Sequence, residues 1–220
     1  ESKQYEFKNS WDENHLSHFY WSKDASAACE PEYTDDGATA LFTNDDNFKV
    51  GNAQDVAYQS LSRHEWAHLI DEREASAIDG TENARFAKAT IIVDGNTRVT
   101  GLILFPDVFS VPEDVKSPSG INTERSSFDT NSYTIAEWKK FEAAGAVFLP
   151  AAGFRKNLNI DNVGVEGYYY SSSPRDSDTD RAHALYFNGQ YVVDAASPSL
   201  RNNGCCIRLV TECQFEPEIK

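Results

Sequence analysis

The residues His64-Glu65-Trp66-Ala67-His68 match HExxH, a spacing that binds zinc in hydrolases. Two histidines that lie four positions apart on a helix share one face, so both can bind Zn²⁺. The glutamate between them can then activate a zinc-bound water molecule. The motif predicts a zinc-dependent hydrolase that uses His64, Glu65 and His68, provided that the fold supplies a further ligand.

The further ligand is the weak point of the zinc interpretation. The metzincin pattern requires Gly at position 71 and His at position 74, where the chain has Asp71 and Glu74. A thermolysin-like site needs a glutamate on a second helix, and the nearest candidate, Glu82, falls in a predicted loop. Zinc hydrolysis is therefore kept as the alternative function.

The same letters also have a structural explanation. The four residues from Ser62 to Glu65 have the S-x-x-E spacing of a capping box, in which each of the two side chains accepts from the other residue's backbone amide. The apolar stripe of this helix would be Trp66, Leu69 and Ile70. We predict a helix over about 62–74, with both histidines in solvent.

A second segment repeats this layout without the histidines. Thr134 to Trp138 again has the pattern [ST]-x-x-E-W, and Ala136 and Lys140 occupy the two histidine positions. The glutamate and the tryptophan therefore serve a helix that cannot bind zinc, which favours the structural explanation. We predict this helix from about 135 to 144, ended by Gly145.

The rest of the chain predicts short strands joined by long loops. The predicted elements are a first strand in YEFKNSW, loops over 23–52, a hairpin of Ala89–Val93 and Val99–Phe105 around the turn Asp94-Gly95-Asn96, a polar loop over 106–132, a strand in AVFLPAAG, and several short strands after 167. No change in composition marks a linker. We predict one α+β domain over residues 1–220, with two helices, short antiparallel sheets and long loops.

Composition excludes several kinds of partner. The net charge is −15, so the chain should repel nucleic acid and anionic lipid surfaces. No apolar run approaches the ~20 residues of a membrane-spanning helix, so we expect no direct membrane insertion. The four cysteines, Cys29, Cys205, Cys206 and Cys213, lack CxxC spacing. One disulfide near the C-terminus and buried free thiols both remain open.

Four segments of the C-terminal half carry a family resemblance. They are EAAGAVFLPAAGFRKN, NVGVEGYYYSSSP, AHALYFN and NNGCCIRLV, in this order. They resemble the Fibrobacter succinogenes major paralogous domain, common in secreted and surface proteins of Bacteroidetes, and the variable proteins of diversity-generating retroelements. The segment LSRHEWAHLIDER is similar to a helix of that family written L-[ST]-x-x-E-W-x-x-L, in which the histidine positions are free. Tyr170 and Cys206 depart from the family, which usually has Trp and Ser there.

The resemblance covers about residues 58–210 and leaves 1–57 as an unmatched N-terminal part of the domain. It implies a C-type lectin-like fold and a variable, ligand-binding region at 167–210. It also implies an extracellular or cell-surface location, with a lipid anchor through a removed N-terminal segment as one route. The candidate ligand-binding residues are Tyr170, Arg175, Asp178, Arg181, Ala184, Tyr186, Asn188, Tyr191, Asp194, Ser197, Ser199, Arg201 and Cys205.

The strand pattern supports a binding face in this region independently. In RAHALYFN, Leu185 and Phe187 share one strand face, while Ala184, Tyr186 and Asn188 share the other. Tyrosine with Ser, Asn, Arg and Asp is the mixture that antibody-like binding surfaces use. An ordinary solvated sheet face would show the same alternation.

Two other chemistries of the same fold fit poorly. Formylglycine-generating enzymes bind copper through a pair of cysteines, but Cys205 and Cys206 are adjacent and should point to opposite faces of a strand. Calcium-dependent lectins use Glu-Pro-Asn and Trp-Asn-Asp strings, and neither occurs. We therefore predict a cofactor-free, non-enzymatic protein that binds an unknown protein or glycan ligand. The alternatives are the zinc hydrolase and a purely structural adhesin module.

Overall fold

The computed structural model describes residues 59–156, 159–175, 181–190, 192–200 and 203–211. Within these ranges the chain is mixed α+β, with two short helices, several short β-sheets and long loops. This confirms the predicted α+β class. The predicted strand in YEFKNSW and the predicted loops over 23–52 lie outside the described residues. Of the helices that the structure describes, none has the length and apolar character that a membrane crossing requires.

The strands form four small sheets. The strands are β1 Gln59–Ser60, β2 Phe86–Ile92, β3 Arg98–Leu104, β4 Ser132–Thr134, β5 Val147–Pro150, β6 Phe154–Lys156, β7 Asn159–Asp161, β8 Glu166–Pro174, β9 Arg181–Asn188, β10 Val192–Leu200 and β11 Leu209–Val210. The sheet orders are β1-β11, β4-β2-β3-β5, β10-β9-β8 and β6-β7. Neighbouring strands are antiparallel except β2 and β4, which are parallel.

The first helix, α1, spans Arg63–Ala67 and begins with the predicted capping box. The Ser62 hydroxyl accepts from the Glu65 amide at 3.2 Å, and the Glu65 carboxylate accepts from the Ser62 amide at 2.6 Å. Trp66 is buried, whereas His64 and His68 are exposed. Both features agree with the structural explanation of the motif.

The end of this helix differs from the prediction. The residues His68–Glu72 continue α1 as a π-helix instead of an α-helix. Two guanidinium groups satisfy carbonyl oxygens of this segment: Arg73 Nε donates to Leu69 O at 2.9 Å, and Arg85 Nε donates to Ile70 O at 2.7 Å. Cationic donors are favoured at this end of a helix because its carbonyl groups lack intrahelical partners.

The second helix, α2, spans Ile135–Ala143 and matches the prediction to within one residue. Thr134 and Glu137 form its capping box. Its C-terminus closes at Gly145, which has φ +93° and is suited to glycine because that conformation crowds a side chain. The Ala146 amide then donates back to Phe141 O at 3.0 Å, which completes the turn.

The predicted hairpin is present, and its first strand is longer than expected, because β2 begins at Phe86 instead of Ala89. Asp94 holds its turn by accepting from the amides of Asn96 and Thr97 at 2.9 and 2.8 Å. These bonds lower the pKa of the Asp94 carboxyl group. The two strands are the centre of the four-stranded sheet, so their residues reach both of its faces.

The two faces of the four-stranded sheet bury two apolar cores. One core lies between this sheet, α1 and the three-stranded sheet, and includes Trp66, Ile70, Phe86, Leu102, Leu149, Tyr169, Leu185 and Phe187. The other lies under α2 and includes Ala87, Ala89, Ile103, Phe105, Tyr133, Trp138 and Phe141. Each buried large side chain contributes about 1.5–3 kcal/mol, so these two cores are the main driving force for folding.

The predicted polar loop over 106–132 packs against the sheet and contains a 3₁₀-helix, Phe128–Thr130. Its attachment includes a buried cation. The Lys88 side chain on β2 is 1 % exposed, and its Nζ donates to Glu124 O at 2.6 Å and Ser126 O at 3.1 Å. Burial lowers the pKa of Lys88 to about 8.

The three-stranded sheet has a regular central strand and two irregular partners. Along β8 the register shifts between Tyr170 and Pro174, and along β10 it shifts between Val193 and Ser197. Extra residues in an outer strand bend it and change which side chains reach a given face. Positions on β9 therefore follow simple alternation, whereas those on its neighbours do not.

Candidate functional site

The two faces of β9 have different surroundings. Leu185 and Phe187 are fully buried in the core, as the alternation predicts. Tyr186 and Asn188 lie on the opposite face and are half-buried. We call the face of the three-stranded sheet that carries Tyr186 the outer face.

Three aromatic rings pack together on the outer face. Tyr168 of β8 is the register partner of Tyr186, and their ring centroids lie 4.7 Å apart at an interplanar angle of 42°. Phe154 of β6 packs edge-on against Tyr168 at 5.3 Å and 81°. Tilted and edge-on contacts are the arrangements that aromatic rings prefer. Each ring is therefore held in place by its neighbour while part of it remains accessible.

A carboxylate lies beside these rings. Glu166 Oε1 accepts from the Tyr186 hydroxyl at 2.7 Å, and Glu166 Oε2 accepts from Asn162 Nδ2 at 2.5 Å. Asn188, the register partner of Glu166, donates from Nδ2 to the Tyr186 hydroxyl oxygen at 2.6 Å. The polar groups thus form one connected network. We call this set the outer-face cluster: Phe154, Asn162, Glu166, Tyr168, Tyr186 and Asn188.

The electrostatics of the cluster assign a role to each group. Burial, with the hydrogen bond to Glu166, raises the pKa of Tyr186 to about 12. Burial and the charge of Glu166 also raise the pKa of Tyr168. Both phenols therefore keep their protons at neutral pH and act as donors, and the carboxylate of Glu166 supplies the negative charge.

The far end of the outer face is closed by a small apolar cluster. Tyr170 and Ala184 are register partners, buried to 3 % and 0 % exposure, and the half-buried Cys205 packs against them. The Tyr170 hydroxyl lies within hydrogen-bond distance of the carbonyl oxygens of Leu200 and Asn203. The expectation that Ala184 is accessible on the face of Tyr186 is therefore wrong, because the Tyr170 ring and Cys205 cover it. Tyr170 is likewise part of a core.

Ser199 also differs from the prediction of an exposed patch. It is 5 % exposed, and its hydroxyl lies 3.3 Å from Cys205 Sγ. Ser199 pairs with Ala182, so it belongs to the same closed end of the sheet. The prediction that it lies on an exposed surface is wrong.

The remaining candidates fall into two groups. Arg175, Arg181 and Ser197 are half-buried, and the Arg175 amide donates to Arg181 O at 3.2 Å where the chain passes from β8 to β9. Arg181 is at the opposite end of β9 from Asn188, so the structure does not place these arginines beside Tyr186. Asp178, Tyr191 and Arg201 lie outside the described residues, and the side chain of Asp194 is not described.

The adjacent cysteines point to different cores, as the strand argument predicted. Cys205 packs with Tyr170 and Ala184, whereas Cys206 packs against the core that contains Trp66. Both are free thiols, and burial raises the pKa of Cys205 to about 11. At neutral pH this thiol is protonated, which makes it a poor nucleophile.

The HExxH side chains lie apart from the outer-face cluster in sequence and have local partners. The Glu65 carboxylate is occupied by the Ser62 amide, and His68 Nδ1 lies 3.8 Å from the carboxylate of Glu72. Among the residues that the structure describes, no group of three His, Cys, Asp or Glu side chains has the arrangement of a metal site.

A shallow, open depression of about 380 Å³ lies near the turn between β9 and β10. Its lining is Arg125, Ser126, Ser127, Gly189 and Gln190. The sequence analysis did not single out this position. The depression is open, so it does not enclose a ligand in the way that small-molecule sites do.

Sequence reasoning found two of the six residues of the outer-face cluster and missed the other four. Tyr186 and Asn188 were predicted from the alternation along β9, whereas Phe154, Asn162, Glu166 and Tyr168 were not. The signal for two of these was present, because Glu166 and Tyr168 alternate with Gly167 as Tyr186 and Asn188 alternate with Phe187. Their pairing depends on the β8–β9 register, which the sequence alone does not specify.

In comparisons with known proteins, no family model, no curated protein and no solved structure matched this chain. The resemblance to the C-type lectin-like families therefore rests on the sequence motifs.

Proposed function

We propose that this chain is a ligand-binding recognition protein and that the outer-face cluster is the centre of its binding surface. The observation that carries the proposal is the Tyr168–Tyr186 pair, fixed by the carboxylate of Glu166 on the sheet face that points away from the core. Tyrosine pairs anchored in this way are typical of protein recognition surfaces, because they supply large contact areas at low entropic cost.

Pre-organisation supports this role. The Tyr186 hydroxyl is held by Glu166 and Asn188, and the Tyr168 ring is held between Tyr186 and Phe154. A ligand that binds these rings would lose little side-chain freedom that the free protein still has. The polar side chains of an ordinary solvated sheet face bind mainly water and do not form such a connected network.

The sequence motifs support a more specific proposal about the scaffold and its location. We propose a C-type lectin-like scaffold of the retroelement variable-protein type, located outside the cell or at its surface. The mixed α+β architecture is compatible with this scaffold, and the predicted variable region at 167–210 includes Tyr168 and Tyr186. The net charge of −15 argues for a protein or glycan ligand over a nucleic acid.

We also propose that the HExxH segment is structural and that the protein is not an enzyme. Glu65 is used by the capping box, and its counterpart Glu137 does the same work in a helix without histidines. Within the part of the chain that the structure describes, no group of side chains completes a zinc site with His64 and His68.

A binding assay with matched variants tests the proposal. A partner is first identified by pull-down or glycan array with the whole chain, and its affinity is then compared between the parent, Tyr168→Ala, Tyr186→Ala and Val108→Ala. Loss of an anchoring tyrosine should weaken binding by about 2 kcal/mol. Val108 is 88 % exposed in the loop that follows β3, so its replacement should leave the affinity unchanged.

The contrary result is equally clear. If both tyrosine variants retain their circular dichroism spectra and bind as tightly as the parent, the outer-face cluster is not the binding surface. Weaker binding by Val108→Ala alone would place the ligand on the loop over 106–127.

A further inference from the structure

We infer that the outer-face cluster binds a lysine or arginine side chain presented by an extended, partly apolar segment of a protein partner. This inference rests on the proposed function and adds the chemical class of the ligand. Three features carry it: a carboxylate without a cationic partner, aromatic rings beside that carboxylate, and two exposed valines in the turn that leads into it.

The first feature is the charge of Glu166. Its carboxylate accepts from the Tyr186 hydroxyl and from Asn162 Nδ2, which are both neutral donors. Within the described part of the chain, no lysine or arginine forms an ion pair with it. A carboxylate has about four acceptor positions, so further donors can still reach it. The site therefore holds a fixed negative charge that a cationic ligand would neutralise.

The second feature is the set of rings. Phe154, Tyr168 and Tyr186 pack around the same point of the sheet and are half-buried, so part of each ring remains accessible. A cation within about 6 Å of an aromatic ring centre is attracted by the negative face of the ring. A carboxylate and aromatic rings together favour an ammonium or guanidinium group and repel an anionic one.

The same hydrogen bonds argue against a sugar as the main ligand of the cluster. Sugar recognition uses donors as well as acceptors, and the Tyr186 hydroxyl already donates to Glu166 and accepts from Asn188, so the cluster offers a sugar few free donors. The negative charge of Glu166, and not a free hydrogen-bond donor, is therefore the main feature that the cluster offers to a ligand.

The third feature gives the size of the ligand. Val163 and Val165 are 63 and 55 % exposed, and they lie in the turn that leads directly into Glu166. Phe154 and Tyr168 hold the β6–β7 hairpin against the outer face. Exposed valines next to a charged site fit a peptide segment with apolar residues beside its basic side chain, because a small amine would leave these valines in water.

A peptide array tests the ligand class. The whole chain is labelled and applied to an array of random dodecapeptides. The strongest binders are then measured in solution against the parent, Glu166→Gln, Glu74→Gln, Tyr168→Ala and Tyr186→Ala. Glu74 is an exposed glutamate after the first helix, so its substitution makes the same change in net charge at a distant position. We expect binders that combine Lys or Arg with apolar neighbours. Glu166→Gln should weaken them by roughly tenfold or more, because hydrogen bonds to charged groups are the strong ones.

Glu166→Gln keeps an oxygen that can accept from Tyr186, so the cluster should stay folded, and circular dichroism checks this. If the Glu166→Gln variant does not fold, Tyr186→Phe is measured as a second variant. That variant keeps the ring and frees one carboxylate oxygen, so basic peptides should still bind.

The outcomes separate the two proposals. If peptides without Lys or Arg bind, and their binding requires Tyr168 and Tyr186, the inference of a cationic ligand is overturned while the proposed binding surface stands. Basic peptides that are weakened equally by Glu74→Gln and Glu166→Gln would show only general attraction to an acidic protein, which also overturns the inference. Binders that ignore both tyrosines would overturn the proposed function itself.

Discussion

Gly167 of β8 and Phe187 of β9 lie directly opposite each other, and a Cβ atom added to Gly167 would come within 2.2 Å of the Phe187 ring. Phe187 is fully buried, so its ring has no room to move away. The missing side chain at Gly167 is what allows β8 to lie close to β9 while Phe187 fills the core. It also brings Tyr168 next to Tyr186 on the outer face.

The first prediction is that Gly167→Ala destabilises the protein by about 1–3 kcal/mol, the usual cost of overpacking a core. Urea denaturation measures the change in the free energy of unfolding. Gly95→Ala is the control, because a Cβ atom at Gly95 would meet nothing within 4 Å. Adding Phe187→Leu to Gly167→Ala should cost less than the sum of the two single changes, since the smaller side chain removes the clash. Strict additivity would show that the Phe187 ring is not the obstacle.

Both helices were predictable because their signals are local. A capping box spans four residues, and the apolar stripe needs only the next turn, so Ser62 and Thr134 mark the two helix starts without knowledge of the fold. The π-helical end of the first helix was not predictable. One of its carbonyl oxygens, Ile70 O, accepts from Arg85, which lies on the far side of a loop and is not part of the helical pattern.

The candidate site was predictable only along the regular strand. On β9 the alternation places Tyr186 and Asn188 opposite Leu185 and Phe187, and the structure agrees. On β8 and β10 the register shifts occur within the predicted region, so two-residue alternation does not assign the side chains of these strands to the correct face. Burial of Ala184 depends further on the Tyr170 ring that covers it, which no pattern within one strand reveals.

The second prediction concerns the helix caps. Ser62→Ala and Thr134→Ala should each lower the free energy of unfolding by about 1 kcal/mol, because each removes the acceptor for an amide in the first turn. Ser110→Ala, at an exposed position of the loop after β3, should change it by less than ~0.5 kcal/mol. Chemical denaturation of all three variants gives the comparison. Unchanged stability of both cap variants would mean that the helices do not depend on these hydroxyl groups.

The third prediction concerns zinc. We expect the purified protein to hold no stoichiometric zinc and its melting temperature to be unaffected by added zinc, since Glu65 is engaged in the capping box. Elemental analysis and a thermal shift assay measure these two quantities. Zinc at about one ion per chain that disappears in His64→Ala would contradict the prediction and restore the hydrolase alternative.

The fourth prediction concerns the pH dependence that Lys88 confers. Burial lowers the pKa of its side chain from 10.5 to about 8 in the folded protein, and the nearby charge of Glu124 offsets part of that decrease. Between these two values the unfolded chain binds more protons than the folded chain, so the free energy of unfolding rises with pH. The contribution of Lys88 should therefore be greatest above pH 10.5 and be lost as the pH falls through about 8.

A difference measurement isolates this effect from the other groups that titrate at high pH. The free energy of unfolding is determined for the parent and for Lys88→Met from about pH 7 to about pH 9.5, and the difference between the two is plotted against pH. Cys205 and the buried tyrosines affect both proteins alike, so their contributions cancel. We expect the parent to gain stability relative to Lys88→Met as the pH rises, with no such trend for Lys139→Met, which alters an exposed lysine of α2. A difference that stays constant over this range would mean that the loop carbonyl groups of Glu124 and Ser126 hold the Lys88 ammonium group as well as water does.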